Sequence, residues 1–424
     1  MTNFKLPYGK TVLEVNIPAE RISAILLSRL HNYEPNGSPE ELVRESLENP
    51  IGSPRLSQLA VGKEKVVIIA SDHTRPVPSK IIMPQMLAEI RAGNPNAKII
   101  ILISTGCHRE TTYEELEYKF GPEIMRNEKI VIHDCDDEKN LVKIGYLPSG
   151  SPLIINRTVV EADLVASEGF IEPHFFAGFS GGRKSIFPGV TSRMSVLHNH
   201  NAQYINHPNS RTGILKGNPI HEEMLFAARA ARLEFICNVV INGKKDIIFS
   251  VAGDCDLAHI EGVKFLQHQC RVNAIPSDIV ISTNGGYPMD QNIYQAVKGM
   301  TAAEVTVKDG GVIIMVAKSN DGHGGEQFYK SFKNEKDLNK MTQEFLDTPS
   351  ENTIPDQWQS QIFARILQRA KVVYVSDAPI EMVRDLHMVP AHSIEEALMI
   401  ADKILAKEDS KIAMIPNGIS VVVE

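Results

Sequence analysis

Short, almost uninterrupted runs of hydrophobic residues recur along the first half of the chain, and segments with helical spacing separate them. The clearest runs are Lys65–Ala70 and Lys98–Ile103, and the segment Ser79–Arg91 between them has the pattern of a helix. Weaker strand candidates are Lys129–His133 and Ala162–Ala166. Apolar runs without alternation are typical of strands in a parallel sheet whose two faces are both covered by helices. The pattern therefore predicts an α/β fold.

Two apolar runs near the middle of the chain predict a different local structure. Phe235–Ile241 and Ile247–Val251 flank the dipeptide Asn242-Gly243. Asn-Gly between two strand candidates is a strong signal for a tight turn, because both residues tolerate positive φ. We therefore predict a β-hairpin near residues 235–251.

A second α/β pattern begins after about residue 276. Its strand candidates are Asp278–Ser282, Gly311–Ala317, Lys371–Ser376 and Ile412–Ile415, and its helix candidates are Asn292–Lys298, Gln359–Ala370 and Ile394–Leu405. The polar tract Ser319–Pro355 predicts loop and short helix. Since 424 residues exceed what one compact core usually holds, we predict two α/β domains with mainly parallel sheets, residues 1–272 and 273–424. The active site is expected in the cleft between them.

Composition narrows the class of partner and the compartment. Lysine and arginine total 44 against 52 acidic residues, a formal charge of −8, which argues against a general nucleic-acid or anionic-membrane binder. No apolar run is long enough to span a membrane. The five cysteines are odd in number and form no CxxC pair, as expected for reduced thiols in the cytoplasm.

Polar residues follow three of the predicted strands. The first strand runs into Asp72, His73, Thr74 and Arg75, the second into His108, and the run near 162–166 leads towards His174. Ligands of open parallel sheets bind outside the carboxyl ends of the strands, where neighbouring loops converge. The strand near 278–282 leads in the same way towards Tyr294, Gln295 and Lys298. We therefore predict one shared site between the two domains.

The stretch from Gly169 to His200 concentrates unusual chemistry. It holds one histidine, a glycine-rich turn, Lys184 and two further histidines within little more than thirty residues. Lysine can carry a covalent bond to a cofactor, and neutral imidazole can bind a metal. His198 and His200 are two residues apart, so on a helix they face different directions and at most one is a ligand. The stretch predicts a cofactor site.

The same stretch also has an alternative interpretation as a phosphate-binding loop. Residues Gly178 to Ser185 fit G-x-x-x-x-G-K-[ST] except that Arg183 stands where the second glycine belongs. No apolar strand leads directly into the loop, which the motif also requires. A phosphate- or nucleotide-handling enzyme built on residues 178–185 therefore remains the alternative hypothesis, together with a non-catalytic organic-acid binding protein.

Several of these segments resemble the nickel-dependent lactate racemase family. The matching residues are SDHTRP at 71–76, TGCHR at 105–109, EPHFFAGFSGGRKSIFPG at 172–189, His200 and YQAVKG at 294–299. The resemblance spans nearly the whole chain, and its long central run is the most specific part. It implies an isomerase that interconverts D- and L-lactate by hydride transfer to and from a cofactor, with pyruvate as the intermediate.

The resemblance also implies a cofactor and a role for each site residue. The cofactor is a nickel pincer nucleotide, Ni(II)-pyridinium-3,5-bisthiocarboxylic acid mononucleotide, which accessory biosynthesis enzymes must install. The implied roles are a covalent tether at Lys184, a nickel ligand at His200, acid/base catalysis by His108 and His174, cofactor contacts from Asp72, His73, Thr74 and Arg75, and lactate binding by Arg75, Tyr294, Gln295, Lys298 and Trp358.

The chemistry of a 2-hydroxy acid is consistent with these roles. Removing the Cα proton is difficult because the neighbouring carboxylate hardly stabilises a carbanion, whereas removing hydride gives a ketone that can be reduced on either face. The hydroxyl proton needs a base on each side, so two histidines are required. Nothing in the sequence selects lactate among small 2-hydroxy acids, and a racemase of another 2-hydroxy acid stays open.

Overall fold

A computed structural model describes residues 1–424 apart from the side chain of His31, and within them two six-stranded sheets dominate the fold. Five strands of the first sheet are parallel, and the sixth is an antiparallel edge strand, which confirms the predicted α/β class. The order of strands across this sheet is Ile247–Gly253, Leu233–Ile241, Leu164–Phe170, Lys65–Ser71, Lys98–Ser104 and Lys129–Ile132.

The central strands of the first sheet are buried on both faces, as their unbroken apolar runs require. Val66 lies opposite Ile99 and Ile69 opposite Leu102 in the parallel register of the two middle strands. Successive side chains point to opposite faces, so Ile68 and Ile69 enter different hydrophobic cores. The edge pair is the predicted hairpin, whose two strands are antiparallel.

The second sheet is entirely parallel within its six strands. Its order is Val389–Ala391, Lys371–Val375, Val307–Val316, Ser277–Thr283, Ile412–Ile415 and Ile22–Ile25.

The amino terminus of the chain belongs to this second sheet. Strand Ile22–Ile25 pairs with Ile412–Ile415, and the hairpin Thr2–Tyr8/Thr11–Ile17 packs its apolar face against the same sheet. The domain boundary after residue 272 remains a prediction. It assigns the first 25 residues to the first domain, whereas in the structure they pack against the second sheet. The pairing joins residues almost 400 positions apart, for which local sequence carries no signal.

Three short strand pairs form separate two-stranded sheets. They are Leu141–Tyr146 with Pro152–Asn156, Pro173–His174 with Gly178–Phe179, and Arg271–Val272 with Val422–Val423.

Helices cover both sheets and connect their parallel strands. The α-helices are Pro39–Glu48, Leu56–Leu59, Ser79–Gly93, Tyr113–Phe120, Pro122–Asn127, Arg157–Val160, Arg193–Asn199, Ala202–Asn206, Pro219–Ala230, Leu257–Cys270, Ile293–Thr306, Glu326–Asn334, Leu338–Asp347, Gln357–Arg369, Ile380–Asp385 and Ile394–Leu405. Single 3₁₀ turns lie at Ala19–Arg21, Arg29–Asn32, Glu138–Asn140, Gly182–Ser185 and Ser350–Asn352. Across the residues described, none of these helices is long and apolar enough to cross a membrane.

The polar tract 319–355 is more helical than its composition predicts. It forms Glu326–Asn334 and Leu338–Asp347, and both helices are amphipathic. Phe328 and Phe332 are fully buried against Phe363 of the following helix. In each helix a few widely spaced apolar residues form one narrow buried stripe. Such a stripe is difficult to recognise in a mostly polar sequence.

Candidate active site

The carboxyl ends of three neighbouring strands in the first sheet open into one cavity of about 560 Å³. The second sheet closes its other side through helix Ile293–Thr306 and the start of helix Gln357–Arg369. This arrangement places residues from both predicted domains around one space. The polar side chains that line it include Asp72, Thr74, Arg75, His108, Glu168, His174, Lys184, His200, Tyr294, Gln295, Lys298, Asp356, Trp358 and Gln359.

One wall of the cavity is a hydrogen-bonded pair of histidine and aspartate. His108 Nδ1 lies 2.7 Å from Asp72 Oδ2, and the Thr74 hydroxyl donates to Asp72 Oδ1 at 2.6 Å. Asp72 is only 2% exposed, and burial by itself would raise its pKa. The hydrogen bond and charge of His108, the Thr74 hydroxyl and Arg75 outweigh burial and lower the Asp72 pKa. An ionised Asp72 therefore accepts from His108 Nδ1–H and leaves Nε2 with a lone pair.

The remaining residues of the loop after strand Lys65–Ser71 lie in two environments. Among the described residues, Arg75 lines the cavity, whereas His73 contacts Thr111 with 3.1 Å between Nδ1 and Oγ1. His73 Nδ1 is also 3.7 Å from a carboxylate oxygen of Glu115. The structure thus brings Asp72, Thr74 and Arg75 together and places His73 beside them, so a cofactor contact of His73 stays a prediction.

The second histidine projects from a short hairpin that follows strand Leu164–Phe170. His174 Nδ1 accepts from the Ala177 backbone N–H at 3.2 Å, which fixes the ring in the hairpin. Phe176 lies against both histidines of the cavity, with ring centroids 4.5 Å from His174 and 5.1 Å from His200. The aromatic ring thus sets the spacing between the two histidines.

The glycines of the central run are required by packing. Gly181 and Gly182 have φ of +77° and +53°. A Cβ on Gly181 would lie 2.7 Å from Asn238 Oδ1, and one on Gly182 would lie 2.8 Å from the His259 ring. Both glycines also line the cavity, so packing against these protein groups and access for a ligand both favour glycine at the two positions.

Arg183, which interrupts the phosphate-loop pattern, points away from the cavity. Its side chain is fully buried and donates to the Ala177 carbonyl at 2.8 Å, with His259 Nε2 3.1 Å away. Burial lowers its pKa to about 9, although Asp256 opposes this effect. Arg183 therefore stabilises the loop on the side away from the cavity, and the neighbouring residue Lys184 lines the cavity.

Lys184 and His200 face each other across Phe176. Lys184 Nζ is 5.9 Å from the Phe176 ring centroid, and His200 is only 5% exposed. Burial, followed by the charges of Arg183, Arg75 and Lys298, lowers the Lys184 pKa well below that of free lysine. Burial and Lys184 lower the His200 pKa to about 3. The shift of the Lys184 pKa is in the direction of the neutral amine, the His200 ring is neutral at neutral pH, and His200 Nδ1 has no hydrogen-bond partner among the described residues.

His200 owes its position to the end of a helix. Ser192 caps helix Arg193–Asn199, and His200 is the residue at its carboxyl end. His198 faces elsewhere, with its Nδ1 3.1 Å from Ser151 Oγ. The sequence argument that only one of the two histidines can bind a metal agrees with this geometry.

The cavity is rich in positive charge. Arg75, Lys184 and Lys298 line it, and Glu172 lies among them. Burial and then the lysine and arginine charges lower the His174 pKa well below its usual value. Burial raises the Glu172 pKa against the pull of the same three cations. Such a site favours an anionic ligand, because the ligand would relieve repulsion among the cations.

The second sheet contributes a polar cluster at the mouth of the cavity. Tyr294 is hydrogen-bonded to Asp356 and Trp358, and Asp356 adopts a left-handed conformation with φ of +66°. The Trp358 ring lies 5.1 Å from the His200 ring at a steep angle. Gln295 Oε1 is buried without a hydrogen-bond partner in the described part of the chain. A strained non-glycine residue and an unpaired amide at one cavity are features of a ligand site.

Sequence reasoning missed several residues of this site. Glu168 is 2% exposed, Ser79 donates to one of its oxygens, and the other oxygen has no partner among the described residues. Lys119 is buried nearby and donates to Ser71 at 3.1 Å. Glu168 immediately precedes Gly169, but the apolar pattern of its strand predicts a purely structural element. A charged residue within a buried strand was the one available signal.

Comparison with known proteins identifies the family to which this α/β protein belongs. Residues 8–213 match the family described as lactate racemase N-terminal domain, and residues 272–423 match the lactate racemase C-terminal domain. The chain belongs to the lactate racemase family. The predicted membership and the predicted isomerase class are thereby confirmed.

Individual relatives resemble the chain over its full length. A lactate racemase of Thermoanaerobacterium thermosaccharolyticum is 52% identical over 424 residues, which is 100% of this chain and 99% of the relative. A lactate racemase of Lactiplantibacillus plantarum is 50% identical over 427 residues, with 100% of both chains covered.

Solved structures agree with the fold. The structure of the lactate racemase apoprotein from Thermoanaerobacterium thermosaccharolyticum superposes with a TM-score of 0.97 at 51% identity, covering 100% of both chains. A protein from Thermotoga maritima has a TM-score of 0.66 at 20% identity, covering 92% of this chain and 100% of that one. The second likeness shows a shared fold.

Proposed function

We propose that the chain racemises lactate by hydride transfer to and from a covalently tethered nickel pincer nucleotide. One observation carries the proposal: a single cavity gathers two histidines suited to proton transfer, a lysine whose pKa is lowered by burial and a neutral, unpaired histidine. The lactate racemases of two organisms, each about half identical to the chain, support lactate as the substrate.

Lys184 and His200 fit the implied cofactor. A lysine that forms an amide-type bond must react as the neutral amine, and the cavity depresses the Lys184 pKa in that direction. A histidine that binds nickel must be neutral, and the His200 pKa of about 3 leaves the ring unprotonated at neutral pH. Its unpaired Nδ1 is a buried polar atom that calls for a partner. When bound, the nucleotide would supply an electron-poor ring carbon that accepts and returns hydride.

Cations hold the substrate carboxylate in this scheme. Lys298 and Arg75 reach the cavity from opposite domains, and burial lowers the Lys298 pKa to about 8, with Arg75 adding to the effect. Charge-assisted bonds to these groups would orient lactate with its hydroxyl towards the histidines. The unpaired Gln295 amide offers one more polar contact, and Tyr294 and Trp358 limit the space for the substrate side chain.

His108 and His174 move the hydroxyl proton. His108 presents Nε2 with a lone pair because Asp72 holds its Nδ1–H, so it can accept the proton as hydride leaves. His174 serves the other enantiomer. Because its Nδ1 accepts from the Ala177 backbone N–H, the neutral ring carries a hydrogen on Nε2 that it can supply, and it accepts a proton there only after a tautomer change that breaks the Ala177 bond. Burial and then the cations lower the His174 pKa, and an anionic ligand would offset the contribution of the cations.

Contacts between the two domains cover the His200 part of the cavity, while the His108 side chain remains 47% exposed. Trp358 covers His200, and Gln361 Nε2 donates to the Ala202 carbonyl at 2.9 Å. Gln203 Nε2 donates to the Leu346 carbonyl at 2.9 Å. A ketone formed between the two hydride transfers has to remain until it is reduced, so an enclosed site favours racemisation over release.

The maturation and location of the enzyme follow from the same scheme. None of the proposed site residues builds the nucleotide, so we infer that dedicated biosynthesis enzymes install it. The five cysteines are free thiols, which supports a cytoplasmic location.

A combined assay tests the function. Protein produced together with the cofactor-biosynthesis enzymes is analysed for intact mass, for nickel content and for interconversion of D- and L-lactate by chiral chromatography. We expect a covalent adduct, one nickel per chain and racemisation from both enantiomers. Lactate bound without interconversion by the nickel-loaded protein would contradict the proposal.

The two other enzyme hypotheses give different results in the same assay. A phosphate-handling enzyme would bind nucleoside triphosphate with magnesium and contain no nickel, but the buried side chain of Arg183 does not favour it. A racemase of another 2-hydroxy acid would contain the adduct and nickel and prefer a substrate with a different side chain. Competition among 2-hydroxy acids of increasing size separates that case.

A further inference from the structure

Two cysteines lie side by side on neighbouring strand ends of the first sheet. Cys107 follows strand Lys98–Ser104, and Cys135 follows strand Lys129–Ile132, with Ile103 opposite Ile132 in the parallel register. The loops that carry them are tied together, because the Thr105 hydroxyl donates to the His133 carbonyl at 2.6 Å. The two thiols are within hydrogen-bond contact of each other. The proposed reaction uses neither of them.

The surroundings give the two sulfurs different properties. Cys107 is half-buried and lines the cavity, whereas Cys135 is 5% exposed. The hydrogen bond from Cys135 lowers the Cys107 pKa against the effect of burial, and Arg193 adds to the lowering. The same contact, together with burial, raises the Cys135 pKa. Arg193 is held in place by Asp136, with 2.7 Å between Nη2 and Oδ2.

This arrangement places an accessible thiol of lowered pKa next to a protected thiol. A low-pKa, reachable cysteine beside a second cysteine is the environment in which peroxides react selectively. We propose that Cys107 and Cys135 form a peroxide-sensitive dithiol that closes to a disulfide beside His108. This modification site goes beyond the proposed function and does not depend on it.

The reaction balances with a hydroperoxide as the only co-reactant. The Cys107 thiolate attacks the O–O bond, an S–O bond forms, and the leaving oxygen departs as water or alcohol after it gains a proton. The Cys135 sulfur then attacks the sulfenic acid, the S–S bond forms, the S–O bond breaks, and a second water leaves. Two thiols are oxidised by two electrons, and the peroxide is reduced by the same two.

A disulfide here would act directly on the acid/base histidine. Cys107 precedes His108, whose Nδ1 lies 2.7 Å from Asp72. The Gly106 backbone N–H is also fixed, with the Gly189 carbonyl 3.0 Å away. Drawing the Cys107 sulfur from hydrogen-bond contact to a covalent bond would shift this short loop. We expect loss of racemisation on oxidation and its recovery with dithiothreitol.

Mass spectrometry tests the disulfide without relying on activity. Apoprotein and nickel-loaded protein are treated with hydrogen peroxide, alkylated and digested with trypsin. The expected product joins the tryptic peptides 99–109 and 130–139, the intact protein loses the mass of two hydrogen atoms, and dithiothreitol reverses both changes. Cys135→Ser removes the second thiol, and we expect it to abolish the cross-link.

A matched control substitutes a cysteine outside the pair. Cys237→Ser is suitable because Ser46 and Ser250 contact this residue and can accommodate a hydroxyl. It should form the cross-link as the unmodified chain does. Free thiols at both positions after peroxide treatment, over-oxidation of Cys107 without a cross-link, or a cross-link that survives Cys135→Ser would overturn the proposal. Activity lost equally in Cys135→Ser would show that the disulfide is not the cause of the loss, which contradicts the predicted effect on racemisation.

Discussion

Replacing Asp72 by asparagine tests the pair that prepares His108 for proton transfer. In the structure Asp72 Oδ2 accepts from His108 Nδ1–H at 2.7 Å, while Oδ1 accepts from the Thr74 hydroxyl at 2.6 Å and from its backbone N–H at 3.2 Å. Asparagine keeps one oxygen for Thr74 and presents an N–H to His108. Two donors then face each other, and the ring must adopt the tautomer with a hydrogen on Nε2. That nitrogen can no longer accept a proton.

The expected loss follows from the bond that is removed. A hydrogen bond to a charged group contributes about 1.5–3 kcal/mol. Because the His108 side chain is 47% exposed, water screens the pair and the lower end applies. About 1.4 kcal/mol corresponds to a tenfold change in rate, so kcat should fall about tenfold or more. The two enantiomers of lactate have equal free energies, so kcat/KM must fall by the same factor in both directions.

Two measurements check the Asp72 argument. Chiral assays from each enantiomer give kcat and KM, and ¹⁵N NMR of the histidine rings reports the tautomer of His108. Asp163→Asn is the matched control, because it alters a carboxylate of the same sheet that binds the Glu64 and Lys65 backbone N–H groups far from the cavity. Full activity of Asp72→Asn, or an Nδ1–H tautomer of His108 in that variant, would refute the reasoning.

Three further predictions concern the lysines and the arginine of the central run. Lys184→Ala should lose the covalent adduct in intact-mass spectra while Lys298→Ala retains it, and an adduct on the Lys184 variant would exclude the tether. Because the Lys298 pKa is about 8 in the free protein and only its cation binds a carboxylate, kcat/KM should fall as pH rises through 8. Lys298→Arg should move that limb to higher pH, and an unchanged limb would assign it to another group. Arg183→Met removes the guanidinium donor to the Ala177 carbonyl, which keeps only the Phe179 backbone N–H at 3.0 Å. Loss of a hydrogen bond from a charged group should lower the unfolding free energy by about 1.5–3 kcal/mol in urea titrations, and an unchanged midpoint would contradict the stabilising role of Arg183.

Much of the site could be predicted from short segments of sequence. Polar residues directly after buried strands identify the binding edge of a parallel sheet, so Asp72, His108 and His174 were found before their positions were known. Lys184 and His200 stood out because their residue types suit a tether and a metal. The role of Asp72 was only partly predicted, since sequence suggested cofactor contact and the structure shows a hydrogen bond to His108.

Other features required coordinates because they depend on residues far apart in the chain. The contact between Gly182 and the His259 ring cannot be predicted from the sequence, and neither can the burial of Arg183, which in the sequence only interrupts the phosphate-loop pattern. Glu168 is concealed in a strand whose other side chains are core. The proximity of Cys107 and Cys135 follows from strand order and cannot be derived from their spacing.

Sequence alone determined which elements form and which residue types are available for chemistry. Apolar periodicity reflects burial of each strand on both faces, and that requirement is local. Tertiary structure decided how the elements combine: strand Ile22–Ile25 joins the second sheet, and Lys298 meets Lys184 across the cleft. It also decided that the pKa values of Lys184 and His200 are lowered, because the pKa of a group depends on burial and neighbouring charges that only the folded chain brings together.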